Sequence, residues 1–325
     1  MHAPISIGCA PIFTSWHRFQ FDRVFDTGAT QGDVWRDAAN DVVGDVLKGY
    51  NAAIIAYGQT GAGKTYTMEG VGHGAGAGGA GDDLAATLDS DDDGGGDGDA
   101  RARLEAGMGI IPRACRALFE HALNSGEHME FEVRVSMLEI YCERIRDLLN
   151  PESTAGGAGG ADAKPTSLRI REEKGGRGVF VEGLTKVYAT DWTEMLDIMR
   201  TGSSNRATAA TGMNKASSRS HCLFITEFHQ RDNKNGEAQN GTLFLVDLAG
   251  SELLKRTDVR GKHLEEAKNI NKSLSSLGNV IKALTSHDRD RDDPLATFDG
   301  GATTDGGGGD ARRRRSSQAN PVRNK

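Results

Sequence analysis

Residues 50–65 decide the fold: Tyr50-Asn-Ala-Ala-Ile-Ile-Ala-Tyr57, then Gly58-Gln59-Thr60-Gly61-Ala62-Gly63-Lys64-Thr65. The first eight are a short, mostly apolar run that stops at glycine, the pattern of a buried strand. The next eight fit G-x-x-x-x-G-K-[ST] and stand between that strand and a helical segment. In such a loop, backbone N–H groups surround phosphate oxygens and the following helix adds partial positive charge. Lys64 is then placed for β- and γ-phosphates and the Thr65 hydroxyl for Mg²⁺. All eight residues are candidate nucleotide contacts.

Outward from this loop, the pattern is of alternating strands and helices. Phe131, Val133, Val135 and Met137 alternate with polar residues, which is strand periodicity. Residues 179–188 and 222–229 are rich in β-formers, and Thr242 to Asp247 is an apolar strand ending in a carboxylate. Asn235-Gly236 marks a turn between the last two. Asp191 with Glu194 predicts a capping box, and Gly202 predicts the end of that helix. Leu264, Ala267, Ile270, Leu274, Leu277, Ile281 and Leu284 step by three or four along one apolar stripe. Lys268, Lys272 and Lys282 fall on the opposite face. The expectation is an α/β layered domain.

Composition narrows the function. The chain has 325 residues and a formal charge of −7. Residues 71–107 alone carry eight Asp and one Glu against two Arg, which equals that total. Outside them the chain is neutral, so no global basic field argues for nucleic acid. No run reaches the ~20 apolar residues of a membrane span, and no secretory leader is evident. The four scattered cysteines read as reduced and mostly buried in a cytoplasmic protein. Residues 71–107, 151–165 and 286–320 are poor in apolar side chains and are expected to be loop insertions in a single domain covering 1–325.

Two further motifs complete the reading. Leu243-Phe-Leu-Val-Asp247-Leu-Ala-Gly250-Ser-Glu252 delivers Asp247 at a strand end, where a Mg²⁺-bound water needs a carboxylate. Gly250 leaves room for a backbone N–H to approach a γ-phosphate. Asn214-Lys-Ala-Ser217-Ser218-Arg219-Ser220-His221 reads by itself as a polar loop before a strand. In their order along the chain, GQTGAGKT, NKASSRSH and DLAGSE closely resemble the P-loop, switch I and switch II of kinesin motor domains. Phe19–Phe25, Met108–Arg113, Ser136–Asn150, Val181–Leu184 and Glu266–Leu284 are similar to kinesin segments too.

This resemblance implies a P-loop NTPase fold: α/β, three layers, with a central sheet that is mostly parallel or mixed. It implies ATP and Mg²⁺ as cofactors and microtubules as partner, hence a cytoskeletal location. Tyr66 falls where kinesins place a ring beside adenine. Ser218 would join Thr65 and, through water, Asp247 at Mg²⁺, while Asn214 and Ser217 would hold the lytic water and γ-phosphate. Arg219 and Glu252 match the ion pair that closes the switches, beside Gly250. The stripe at 264–284 matches the principal microtubule-contacting helix, with Lys268, Lys272 and Lys282 facing tubulin. Arg312, Arg313, Arg314 and Arg315 fit a basic insert for acidic tubulin tails, or equally a solvated run or a modification signal with Ser316 and Ser317. Arg323 lies in a segment like the tubulin-contacting V-P-Y-R-N-S-K.

The first and last core strands of the family pattern are not matched, although Pro4–Gly8 could supply a strand. Tyr50–Tyr57 is therefore expected at an exposed sheet edge. The expected activity is an ATP-hydrolysing microtubule motor. The alternatives are a truncated, non-motile microtubule-binding module and a P-loop NTPase unrelated to the cytoskeleton.

Overall fold

The computed structural model describes residues 5–8, 18–71, 98–150, 168–172, 178–208, 219–252 and 262–289. Asn214, Ser217, Ser218, Arg312, Arg313, Arg314, Arg315 and Arg323 lie outside them, as do the insertion at 151–165 and most of 286–320. The chain divides into two units, residues 1–276 and 277–325.

The sheet of the first unit is built on β3 (Ala52–Ala56), β4 (Met129–Tyr141), β5 (Arg144–Asp147), β8 (Val187–Ala189), β9 (His221–Asp232) and β10 (Ala238–Asp247). Its order is β3-β10-β9-β4-β5, with β8 also on β4. The β3–β10 pair is parallel and the other pairs are antiparallel, so the sheet is mixed. Among the described residues β3 is an edge, as expected from the resemblance with its first and last core strands unmatched. Tyr50 and Tyr57 beside it are 65% and 68% exposed, and Ile55 is 40% exposed.

Register explains where the core sits. Leu245 pairs Phe224 and Phe224 pairs Met137, while Leu243 pairs Thr226 and Thr226 pairs Val135. All of these lie on one face and are buried. Four helices cover that face: α2 (Asn40–Leu47), α3 (Lys64–Glu69), α5 (Ile110–Leu123) and α6 (Trp192–Thr208). They contribute Val43 and Val46, Met68, Leu118 and Cys115, and Met195 and Met199 to one cluster. α2 continues a helix opened by α1 (Gln31–Val34) through a π-helical turn at Trp35–Ala39. Thr30 and Asp33 close a capping box at its start.

Several sequence expectations are corrected here. Gly202 does not end α6, which runs on to Thr208. A Cβ on Gly202 would lie 2.2 Å from Met137 Sδ, so this glycine allows a helix to seat against β4. The β-rich stretch 179–188 does form strand, in two pieces. β7 (Val179–Glu182) forms a separate hairpin with β6 (Arg169–Glu172), and the chain rejoins the sheet at β8. β1 (Ile5–Gly8) does form, but pairs with β2 (Arg18–Phe21) in a sheet of two.

The insertion at 71–107 is not loop throughout, since α4 (Gly98–Gly107) occupies its end. Its Ala, Arg, Leu and Glu residues are good helix formers, and Leu104 packs on the core. Arg113 donates to the carbonyls of Glu105 and Met108, fixing the helix end. Val71 N–H donates to Gly107 O at 3.0 Å and Gly109 N–H to Glu69 O at 3.3 Å. The insertion therefore leaves and returns at one point, where loop length adds little entropic cost.

α7 (Lys262–Arg289) realises the expected long helix and extends past residue 286. Ile270, Leu274 and Leu277 on its stripe are half-buried, whereas Ile281 and Leu284 are 47% and 68% exposed. The stripe is thus a core face only in part. Among the described residues, no helix is long and apolar enough to cross a membrane.

Candidate nucleotide site

Because β3 and β10 are parallel, the loops that follow them leave the sheet on the same side. Leu248 N–H donates to Ala56 O at 3.2 Å, and Ser251 N–H donates to Gly58 O at 3.1 Å. These bonds stitch residues 248–252 to the glycine-rich loop. Gln59, Thr60, Gly61 and Ala62 are exposed, while Gly58, Gly63, Lys64 and Thr65 are half-buried. Gly61 and Gly63 have φ of +80° and +86°, where a side chain would be strained. A Cβ at either would meet nothing within 4 Å, so both face open space.

Lys64 Nζ donates to Gly58 O at 2.9 Å and Gln59 O at 3.0 Å, folding the ammonium over the loop. Thr65 Oγ1 donates to Asp247 Oδ2 at 2.7 Å, a contact between residues 182 apart in sequence. Asp247 Oδ1 is buried and has no hydrogen-bond partner among the described residues. An orphaned carboxylate oxygen next to a threonine hydroxyl fits the water-mediated Mg²⁺ contact expected of these two residues. Glycines at left-handed φ facing open space, with an ammonium bonded to the loop carbonyls, fit phosphate. Tyr66 is 53% exposed, and its carbonyl accepts from Gln31 Nε2 at 2.6 Å.

Glu252 accepts from Thr60 N–H at 2.9 Å and from Thr60 Oγ1 at 2.5 Å. Partial burial raises its pKa, but these bonds outweigh it and hold the carboxyl below its ordinary value. Its described contacts thus go to the glycine-rich loop rather than to Arg219, which lies half-buried just before β9. Gly250 has no room for a Cβ, which would fall 2.3 Å from Glu252 Oε2 and 2.4 Å from Thr60 Oγ1.

Behind Asp247 lies a buried polar cluster that sequence reasoning missed. Arg206 Nη1 donates to Asp247 Oδ2 at 3.3 Å, and its Nη2 donates to Ser220 O at 3.0 Å. Arg206 Nε lies 3.9 Å from Glu139 Oε1, and Arg146 reaches the other Glu139 oxygen at 3.3 Å. Burial disfavours the Arg206 charge, but the surrounding acids Cys222, Asp247, Glu69 and Glu139 keep its pKa raised. Ser203 Oγ donates to Glu69 at 3.4 Å. Burial pushes Glu69 up to about 7, against the pull of Arg206. The signal was spacing: Glu69 is one turn beyond Thr65 on α3, and Arg206 continues the Met195–Met199 stripe of α6.

Of the cationic residues on the long helix, Lys272 and Lys282 are exposed. Lys272 Nζ lies 3.6 Å from a Glu143 oxygen at the β4–β5 turn. Lys268 is within α7, and its side chain lies outside the described residues.

A parallel strand pair that presents a glycine-rich phosphate loop beside a metal-type aspartate defines a P-loop nucleotide-binding α/β protein. The kinesin motor domain model matches residues 12–296, and the chain belongs to the kinesin motor domain family. It is 45% identical over 269 residues to kinesin-related protein 3 of Dictyostelium discoideum, covering 83% of this chain and 19% of that protein. Kinesin heavy chain of Gibberella moniliformis is 43% identical, with 82% and 24% covered. Human kinesin heavy chain isoform 5A is 40% identical, with 86% and 23% covered. The chain thus spans about a fifth to a quarter of the length of these curated relatives. A solved fast kinesin superposes with TM-score 0.65 at 42% identity, covering 83% of this chain and 65% of that one. The motor and motor homology domain of Kar3Vik1 gives 0.64 at 32% identity, with 86% and 60% covered.

Proposed function

We propose that this chain is a motor domain that hydrolyses MgATP and converts the hydrolysis into changes in microtubule affinity. Residues 1–325 act on this reading as one domain with inserted segments. The observation that carries it is the Thr65–Asp247 contact, beside which the second Asp247 oxygen is buried and has no hydrogen-bond partner among the described residues. Bound Mg²⁺ supplies charge neutralisation at the β- and γ-phosphates, and Thr65, Ser218 and, through water, Asp247 are the residues to hold it.

The remaining work falls to the chain itself. Lys64 exchanges the carbonyls of Gly58 and Gln59 for β- and γ-phosphate oxygens, and the loop amides around Gly61 and Gly63 cradle the rest. Tyr66 offers its exposed ring to adenine. Asn214 and Ser217 hold the attacking water and the γ-phosphate, aided by the Gly250 N–H. The water oxygen bonds to the γ-phosphorus, the bond to the β–γ bridging oxygen breaks, and its electron pair leaves with ADP. Glu252 exchanges Thr60 for Arg219 when the two loops close, and the water proton leaves through solvent along that pair. Lys268, Lys272 and Lys282 on α7, with Arg312–Arg315 and Arg323, meet the acidic microtubule surface, which places the protein on the cytoskeleton.

The match of the kinesin motor domain model to residues 12–296 supports this reading over a non-motile binding module. Lys64→Ala tests it. Microtubule-stimulated phosphate release should fall at least a hundredfold in the variant, while the parent co-sediments with microtubules in a nucleotide-dependent way. Unchanged phosphate release in the variant would refute it.

A further inference from the structure

One side chain joins the nucleotide loop to the long helix. His221 opens β9 and is 7% exposed. Its Nδ1 accepts the N–H of Ala249 at 3.1 Å, an atom that is itself buried. That bond leaves Nδ1 without a proton, so the neutral ring carries its proton on Nε2. Nε2 then donates to Ser273 Oγ at 2.8 Å, and Ser273 Oγ donates onward to Ile270 O at 2.8 Å. Burial, followed by the nearby Arg206 guanidinium, lowers the pKa of the ring and keeps it neutral. Donation therefore runs in one direction, from the Ala249 N–H through His221 and Ser273 to the α7 backbone at Ile270.

We propose that His221 is a positioning residue whose ring couples the loop at Asp247–Gly250 to α7, so that movement of that loop on nucleotide binding is transmitted to the helix. Ala249 stands between Asp247 and Gly250, so the loop does not shift without loading this bond. All of these residues lie in the unit 1–276. Parting them would leave buried polar groups unpaired, so the loop and the helix move together more readily than they part. The coupling rests on the nucleotide-site reading above, and its test separates the two.

Hydrogen exchange of the whole chain is compared with MgADP and with a non-hydrolysable MgATP analogue. In the parent, switching nucleotide should change exchange both at 58–65 and in α7 at 270–285. Ser273→Ala, which removes the hydroxyl that accepts from His221 and donates to Ile270 O, should keep the response at 58–65 and basal phosphate release within twofold. Its α7 response should fall at least threefold. Ser273→Thr restores the hydroxyl and should restore the α7 response. His221→Asn keeps an acceptor for Ala249 but is too short for Ser273, and should match Ser273→Ala. An α7 response that is absent in the parent, or equal in the parent and Ser273→Ala, overturns the coupling while leaving the nucleotide site standing. No response at 58–65 in the parent overturns the nucleotide reading, and the coupling with it.

Discussion

The β4–β9 pair runs antiparallel over twelve registered positions, whereas β3–β10 is parallel over five. The long pair buries Val133, Val135, Met137, Phe224 and Phe228 and holds much of the apolar core. The short pair ends in the glycine-rich loop on one strand and Asp247 on the other. An antiparallel pair would send those two loops to opposite ends of the sheet. Chemistry is thus concentrated at the β3 side of the sheet, where β3 is an edge among the described residues and β10 lies between it and β9, and stability is concentrated in the antiparallel centre. The two regions meet in the cluster of Glu139, Arg206, Glu69 and Asp247, which links β4 to the site through buried charges.

The most forceful way to break this division is Phe224→Ala. Phe224 is 1% exposed and lies between Met137 and Leu245 in register. Losing its ring should cost about 3–5 kcal/mol by chemical denaturation. If the cost were under about 1 kcal/mol, the weight assigned to the antiparallel centre would be wrong.

Glu69→Gln probes the junction. The Glu69 carboxyl titrates at about 7 when folded against an ordinary 4.5. Between these values the native state holds a proton that the unfolded state has released, so stability falls as pH rises. The contribution is full below 4.5 and is lost through 7, amounting to at most about 3 kcal/mol. Gln does not titrate, so the variant should gain on the parent between pH 5 and pH 8. Parallel stability curves across that range would remove Glu69 from the balance.

How much of this was legible in the sequence differs between the regions for physical reasons. The glycine-rich loop, Asp247 and the strands that carry them were readable because their geometry is local: φ-permissive glycines and an apolar run ending in a carboxylate. The Asn235-Gly236 turn was readable for the same reason, with Gly236 at φ +76°. The buried cluster was not, because Arg206 and Glu139 look like solvated charges until the β4–β9 register and α6 bring them together. Gly202 misled because a glycine near a helix end suggests a stop, when here it answers a contact with Met137. Residues 98–107 misled because their neighbours at 82–97 are Asp- and Gly-rich, and the docking of Leu104 is a tertiary effect.

Gly202→Ala sharpens the account of that seam. The added methyl meets Met137 Sδ, the flexible part of a side chain that is 1% exposed. Helix propensity favours alanine by about 1 kcal/mol, while overpacking costs about 1–3 kcal/mol. The net expectation is a loss of up to about 2 kcal/mol in denaturant. A stabilised variant would mean that Met137 has space to move and that the glycine is not required by packing.

The smallest effect on stability belongs to the edge. Ile55 is 40% exposed, and Leu245 and Val246 of β10 adjoin it on the paired side only. Little apolar area leaves the core when it is replaced, so Ile55→Lys should change the denaturation midpoint by less than about 1 kcal/mol. A charge on an edge strand nevertheless repels a second strand approaching its open flank. Light scattering of concentrated protein should therefore fall several-fold in Ile55→Lys with stability nearly unchanged. A large stability loss would show that the flank of β3 is covered in solution, and the contrast between a loaded centre and a bare edge would then have to be redrawn.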